Sequence, residues 1–258
     1  MIMLKVTGLP KHSLILGILV VLVGLLAGPR ANAKGNDLIS AANNGDLARV
    51  MKLLAKGADV NAKTHDSLTA LIFASENGHV DVVQALLAKG AEVNAKSSNG
   101  TTALIGASGE GYLAVVQALL AKGAEVDAKT SDGWAALMLA SQNGHLEIAQ
   151  ALLANGAEAN GKANDNRTAL MIASDHGHLD VVQALLAKGA EVNAKASNGV
   201  TALMIASQNG HLDVVQALLA KGADVNAAMN DGVTALMMAS QEGHIDVAQL
   251  LRNAGARR

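Results

Sequence analysis

The sequence predicts an all-α solenoid, in which seven pairs of short helices stack side by side and are joined by turns that resemble β-hairpins. A Gly-Ala pair recurs every 33 residues, at Gly57, Gly90, Gly123, Gly156, Gly189, Gly222 and Gly255. A fixed period of this length is typical of repeat proteins whose units bury a common core by stacking. Both prolines lie before residue 34, so the repeats contain none of the strongest helix breaker.

Two more sequence markers keep the same register. The tripeptide T-A-L begins at Thr69, Thr102, Thr168, Thr201 and Thr234, and Ala135 occupies the matching position of the fourth unit. The pair Gly-His places histidines at His79, His145, His178, His211 and His244, with Tyr112 in the third unit. Three markers in one register indicate repetition of the whole unit.

Each unit is predicted to contain two helices and a turn, as the sixth unit illustrates. Thr201 is a suitable N-cap for the first helix, and Gly210 suits the left-handed conformation that ends it. The second helix, 212–221, carries apolar residues at helical spacing, and Gly222 ends it. Asp231-Gly232 then predicts a hairpin turn. The matching pairs Asp66-Ser67 and Asp165-Asn166 are weaker turn signals.

The repeated unit, G-x-T-A-L-M-x-A-S-x-x-G-H-L-D-V-V-Q-A-L-L-A-K-G-A-D/E-V-N-A, resembles the ankyrin repeat over residues 34–258. One departure is consistent, because the family's T-P-L-H is T-A-L-M or T-A-L-I here. An apolar contact is expected to replace the hydrogen bonds of the family's histidine, at Ile72, Ile105, Met138, Met171, Met204 and Met237. The resemblance implies a non-enzymatic scaffold that holds protein partners along its concave side, through hairpin tips and first helices.

The units divide the chain into four predicted regions. Residues 1–33 form a signal peptide, 34–66 an N-terminal capping repeat, 67–231 five internal repeats, and 232–258 a C-terminal capping repeat. The first unit lacks T-A-L, and the last has Arg252 and Asn253 where the sixth has Leu219 and Ala220. Polar residues at these positions suit end units that meet water instead of another repeat.

The N-terminal segment has the layout of a secretory signal. Lys5 and Lys11 precede the apolar run Leu14–Ala27, and Ala31-Asn32-Ala33 supplies an A-x-A cleavage pattern. The alternative is an uncleaved anchor, although a helix of this length spans only about 21 Å of a hydrocarbon core of roughly 30 Å. We therefore expect a secreted or periplasmic protein of bacterial type, which would contact a membrane only if this segment stayed attached.

Composition excludes several classes of site. The chain has no cysteine, which rules out disulfides, thiolate zinc sites and a cysteine nucleophile. Residues 1–33 carry three of the 20 basic side chains and none of the 22 acidic ones, so the remaining chain has a net charge of about −5. This balance argues against nucleic acid as a partner. No glycine-rich phosphate loop is present, and we expect neither a cofactor nor a small-molecule substrate.

The histidines next to acidic residues admit a chemical interpretation and a structural one. The pattern His-x-Asp/Glu occurs five times, as in His211 and Asp213, but no common nucleophile accompanies it. We therefore expect each histidine to cap the second helix or pack at its start. Adventitious metal binding at Asp175, His176 and His178 is a minor alternative.

Positions that vary between units are the candidates for partner binding, because the scaffold does not dictate them. Trp134 is the only tryptophan, and Arg167 holds the same position of the next unit, so the two should be neighbours on one face. Trp and Arg are frequent in binding hot spots. The structural alternative is that Trp134 packs on the adjacent hairpin and Arg167 is a solvated charge. The full candidate set is Trp134, Arg167, Tyr112, Thr101, Leu68, Glu76, Glu110, Gln142, Asp175, His176 and Gln208.

The sequence thus predicts an exported ankyrin-type scaffold that binds an unidentified protein. The alternative is a structural or protective envelope protein without one high-affinity partner.

Overall fold

The structure, a computed structural model, describes residues 33–257, and the predicted signal segment lies outside them apart from Ala33. The described residues form fourteen helices and no extended strand, which confirms the all-α solenoid. The helices are α1 (Ala33–Asn43), α2 (Leu47–Ala55), α3 (Ala70–Glu76), α4 (Val80–Ala88), α5 (Ala103–Glu110), α6 (Leu113–Leu120), α7 (Ala136–Gln142), α8 (Leu146–Ala154), α9 (Ala169–Asp175), α10 (Leu179–Ala187), α11 (Ala202–Gln208), α12 (Leu212–Ala220), α13 (Ala235–Gln241) and α14 (Ile245–Asn253).

The helices form two layers, one on each side of a continuous core. Each odd-numbered helix packs against its partner in the same unit and against the first helices of adjacent units. The even-numbered second helices pack on one another in the same way. No helix within residues 33–257 is long and apolar enough to cross a membrane.

The first helices begin as the sequence predicts. The Thr201 hydroxyl accepts a hydrogen bond from the Met204 backbone amide, and four other threonines in this position do the same. Ala135 makes no such bond at the start of α7. The apolar residues that replace the family's histidine are buried in the internal units, whereas Met237 of the last unit is 45% exposed.

The hairpins join successive units through backbone hydrogen bonds. In the hairpin between the third and fourth units the Thr130 amide donates to the Trp134 carbonyl, and the Ser131 amide donates to the Asn99 carbonyl of the preceding hairpin. In all six turns the residue at the same position has a left-handed backbone conformation, and that residue is glycine in four of them. Ser67 and Asn166 adopt positive φ angles of 61° and 62°, so the two weaker turn signals give the same turn at a backbone cost.

The histidine at each second-helix start contacts the preceding unit. Of the two roles predicted for it, it packs at the helix start and does not cap the helix with its side chain. His211 occupies the N-cap of α12, but its side chain makes no capping hydrogen bond. Its Nε2 instead lies 3.0 Å from the Asp175 carbonyl oxygen of the preceding unit. The ring also covers Gly177, where an added Cβ would come within 2.7 Å of Nδ1. Four other histidines repeat this contact.

An asparagine ladder also crosses the unit junctions, along the connections that follow the second helices. Asn94 accepts from the Glu125 amide at 2.8 Å and donates to the Gly123 carbonyl. Asn61, Asn160, Asn193 and Asn226 repeat both bonds. At the third position Asp127 accepts from the Glu158 amide but has no amide group to donate.

Candidate functional site

The surface that carries the predicted site consists of the hairpin tips and the first helices. We call it the first-helix face and define it as residues 64–77, 97–110, 130–143, 163–176, 196–209 and 229–242. Leu68 is half-buried and packs on the core. Thr101 is only 8% exposed and offers a partner little surface, which argues against its predicted role as a contact residue. Gln142, Asp175 and Gln208 are half-buried, and Glu110 and His176 are exposed.

Trp134 and Arg167 are neighbours, as their matching positions predict. The Arg167 guanidinium carbon lies 5.4 Å from the centre of the Trp134 ring, within the range of a cation–π contact. Arg167 Nε also donates to Asp165 Oδ2 at 2.6 Å. Trp134 is half-buried against the core. The pair therefore packs within the chain, as the alternative interpretation expects for Trp134, and partner binding at its remaining surface stays a prediction.

Glu76 and Glu110 meet where the row of apolar side chains along the first helices is interrupted. Gly106 occupies the position held by Phe73 and Leu139 in the adjacent units. The Glu76 side chain lies over this glycine, and a Cβ added at Gly106 would be 2.5 Å from Glu76 Cγ. Burial, and then the nearby Glu110 carboxylate, raise the pKa of Glu76 to about 7. Among the described residues no ion pair neutralises either carboxylate.

The group around Asp175 and His176 is explained by packing. The Asp175 carboxylate accepts from Asn209 Nδ2 at 2.7 Å, and its carbonyl accepts the histidine contact described above. His176 bonds the Ile172 carbonyl through Nδ1 and stacks on His178 at 6.0 Å. His178 Nε2 is 3.0 Å from the Gln142 carbonyl. Parallel rings that use nitrogens in this way do not converge on one ion, and residues 33–257 contain no cluster of metal-binding residues.

Tyr112 lies at a different end of its unit from the hairpins. It is the N-cap of α6 and covers Gly78 as the histidines cover their glycines. The eight residues of α5 separate it from its own hairpin, a distance of about 12 Å. Tyr112 is 37% exposed. Tyr112 is therefore a separate surface feature from the Trp134–Arg167 pair.

Comparison with known proteins agrees with the repeated geometry. A family model of three ankyrin repeat copies matches residues 38–130, 123–196 and 193–257. The chain belongs to the ankyrin repeat family. The crystal structure of the human ASB11 ankyrin repeat domain is similar, with a TM-score of 0.78 and 30% sequence identity, over 86% of this chain and 98% of that one. A comparison with curated protein sequences gives no match.

Ankyrin repeats are generally scaffolds for protein–protein interaction, and the first-helix face of this ankyrin repeat protein has a property that single positions did not reveal. It carries eight acidic residues and a single Lys or Arg, Arg167, together with two histidines, His65 and His176. The acidic residues are Asp66, Glu76, Glu110, Asp132, Asp165, Asp175, Asp231 and Glu242. Sorting charged residues by their place in the repeat would have found this asymmetry in the sequence.

Proposed function

We propose that this protein is an exported, non-enzymatic scaffold whose first-helix face binds a protein partner. Trp134 carries the proposal, because it places a half-buried ring at a position that the other units fill with Leu, Thr, Arg or Val. A partly covered aromatic ring beside an arginine is typical of binding hot spots. Family membership supports binding in general, and the departure from the repeat at Trp134 supports this particular surface.

Export rests on the N-terminal sequence alone. The order of basic residues, an apolar run and A-x-A is typical of a cleaved signal peptide. Intact-mass measurement of material recovered outside the cytoplasm should give a chain that begins near Lys34. A mass that includes residues 1–33 would support the uncleaved anchor.

A structural role without one tight partner is the second candidate, and the contacts of Arg167 favour it. The guanidinium group already contacts Asp165 and the Trp134 ring, so both anchors have partners within the chain. In this case the repeats would act as a spacer or protective layer, and truncating the pair would change stability more than binding.

Site-specific photo-crosslinking in the producing cells separates these candidates. A photoreactive residue at Gln142 or Gln208 probes the first-helix face, and one at Gln150 or Gln216 probes the exposed side of the second helices. We expect discrete protein adducts from the first pair only, and Trp134→Ala/Arg167→Ala should weaken them. Adducts of equal strength at all four positions, or none at any, would support the structural role.

A further inference from the structure

The charges of this protein are divided between two surfaces. The first-helix face carries eight acidic residues, all at least partly exposed, against one arginine. The other fifteen Lys and Arg of residues 33–257 lie in the first unit, the second helices, the connecting segments and the residues after α14. Acidic residues also occur there, so that surface is mixed while the first-helix face is acidic.

The nearest cations do not neutralise this face. A lysine precedes each of five hairpins, but Lys63 pairs with Glu92, which lies in a connecting segment. Lys129 donates to the Lys162 carbonyl, and Lys195 donates to the Ala228 carbonyl, so both extend along the hairpin arms to the next unit. Arg167 pairs with Asp165. Among the described residues no other ion pair involves an acidic residue of the face.

Two of the eight acidic residues, Glu76 and Glu110, come together where α3 meets α5. Gly106 and Gly109 leave the surface of α5 without side chains between Phe73 and Leu139, and a Cβ at Gly109 would already touch Leu139 Cδ1 at 3.4 Å. The Glu76 carboxylate occupies this gap beside Glu110. An acidic group that is partly removed from water, and faces a second acidic group, is stabilised by an external cation.

We propose that the partner of the first-helix face is a basic protein segment, which seats a lysine or arginine side chain between Glu76 and Glu110. The aliphatic part of that side chain would pack on Phe73 and Leu139, and its charged end would face the two carboxylates. Further basic residues of the segment would pair with acidic residues of neighbouring units. This inference rests on the proposed function and adds the chemistry of its partner.

The substitution Gly106→Leu tests the seat without destabilising the fold. A leucine there restores the side chain that adjacent units carry, and it must displace the flexible Glu76 side chain from the gap. Because glycine within a helix is unfavourable, the variant should unfold at a higher temperature than the parent. A loss of affinity together with a gain of stability cannot be attributed to misfolding.

Affinity is measured on the full chain by fluorescence anisotropy with labelled peptides of about 20 residues, roughly a third of them Lys or Arg. A matched peptide with Glu at those positions is the control. We expect the basic peptide to bind at least about tenfold more tightly, with a preference that shrinks as salt is added. Gly106→Leu and Glu76→Gln/Glu110→Gln should each weaken binding of the basic peptide by several-fold. Combining the three substitutions should weaken it by on the order of tenfold.

The control variant Glu158→Gln/Glu191→Gln removes the same number of carboxyl groups from exposed sites outside the face. It should change the affinity by less than about twofold. The proposal is overturned if both peptides bind equally, or if this control weakens binding as much as Glu76→Gln/Glu110→Gln. Crosslinks at Gln142 and Gln208 to a partner without a basic segment would retain the proposed function and reject this inference alone.

Discussion

At the scale of single residues, the repeats provide their own controls, because the same position is filled differently in otherwise matching units. Ala135 begins α7 without a side-chain cap, while threonine caps the equivalent helix in five other units. Ala135 and Thr168 share the extended backbone of an N-cap, with φ angles of −102° and −107°. A threonine therefore fits at Ala135 without a backbone change.

We predict that Ala135→Thr raises the free energy of unfolding by up to about 1 kcal/mol, because its hydroxyl can accept from the Met138 amide, which donates to the Ala135 carbonyl at 3.0 Å in the parent. Thr168→Ala is the mirror experiment and should lower it by a similar amount. Urea titration followed by circular dichroism measures both changes. If Ala135→Thr leaves the midpoint unchanged while Thr168→Ala lowers it, the cap geometry at α7 differs from that at α9.

Glu76 predicts a pH dependence of stability. Its pKa rises from 4.5 to about 7 on folding, so between these values the folded chain retains a proton that the unfolded chain releases. The free energy of unfolding should therefore fall as the pH rises through this window. Because the group is partly solvated, we expect a loss of about 1 kcal/mol, less than the full shift implies.

Glu76→Gln should remove this loss and make the chain more stable than the parent at pH 8. Chemical denaturation at pH 4.5, 6 and 8 measures the effect, with the exposed Glu158→Gln as control. A parent whose stability rises from pH 4.5 to 8, with no change in slope for Glu76→Gln, would contradict the half-buried placement of this carboxyl.

At the scale of helices and junctions, the asparagine ladder has one defect. Asp127 accepts the Glu158 amide but cannot donate to the Gly156 carbonyl, as Asn160 donates to Gly189 in the next unit. Asp127→Asn should supply that bond and stabilise the chain by about 0.5–1 kcal/mol. Asn160→Asp should destabilise it by a similar amount. Hydrogen exchange of the Glu158 and Glu191 amides reads each junction separately, and a variant that changed both junctions equally would argue against a local bond.

The sequence predicts the elements better than the contacts between them. Thr201 and Gly210 mark the ends of α11 because capping acts within one turn of the chain. The carbonyl that His211 contacts belongs to Asp175, and a backbone carbonyl has no signature in the sequence. Gly106 stands where the adjacent units have Phe73 and Leu139, and only the packed neighbours show that Glu76 fills the gap. The predicted proximity of Trp134 and Arg167 was correct, because a fixed period converts sequence register into position.

At the scale of the whole molecule, the two ends of the solenoid differ. Arg49 and Lys52 of α2 take the places of Val82 and Ala85 in the next unit, so the first unit presents charged residues beside Leu47 and Met51, which are 37% and 43% exposed. The last unit leaves Met237 and Ile245 exposed by 45% and 77%. Arg252 is a charged residue of α14 at a position where α8 and α10 have leucines that pack on the core. It limits the apolar surface at this end.

Arg252→Leu should therefore promote self-association through the C-terminal unit. Sedimentation velocity at several concentrations should show a growing fraction of larger species. Gln216→Leu adds the same side chain on an internal second helix, and this control variant should sediment as the parent does. Unchanged sedimentation of Arg252→Leu would mean that the Arg252 charge is not needed to prevent self-association through the exposed Met237 and Ile245.

The joining histidines, the asparagine ladder and the hairpin bonds all connect groups at constant offsets of about one period. Deleting or duplicating any stretch of 33 residues inside the array would therefore return every remaining donor to an acceptor of the same kind. A change whose length is not a multiple of 33 would break all three sets of bonds at the point of change. The number of repeats in such a chain can therefore change by whole units. Natural or engineered forms with more or fewer repeats would keep the structure of the surfaces on either side of the new junction.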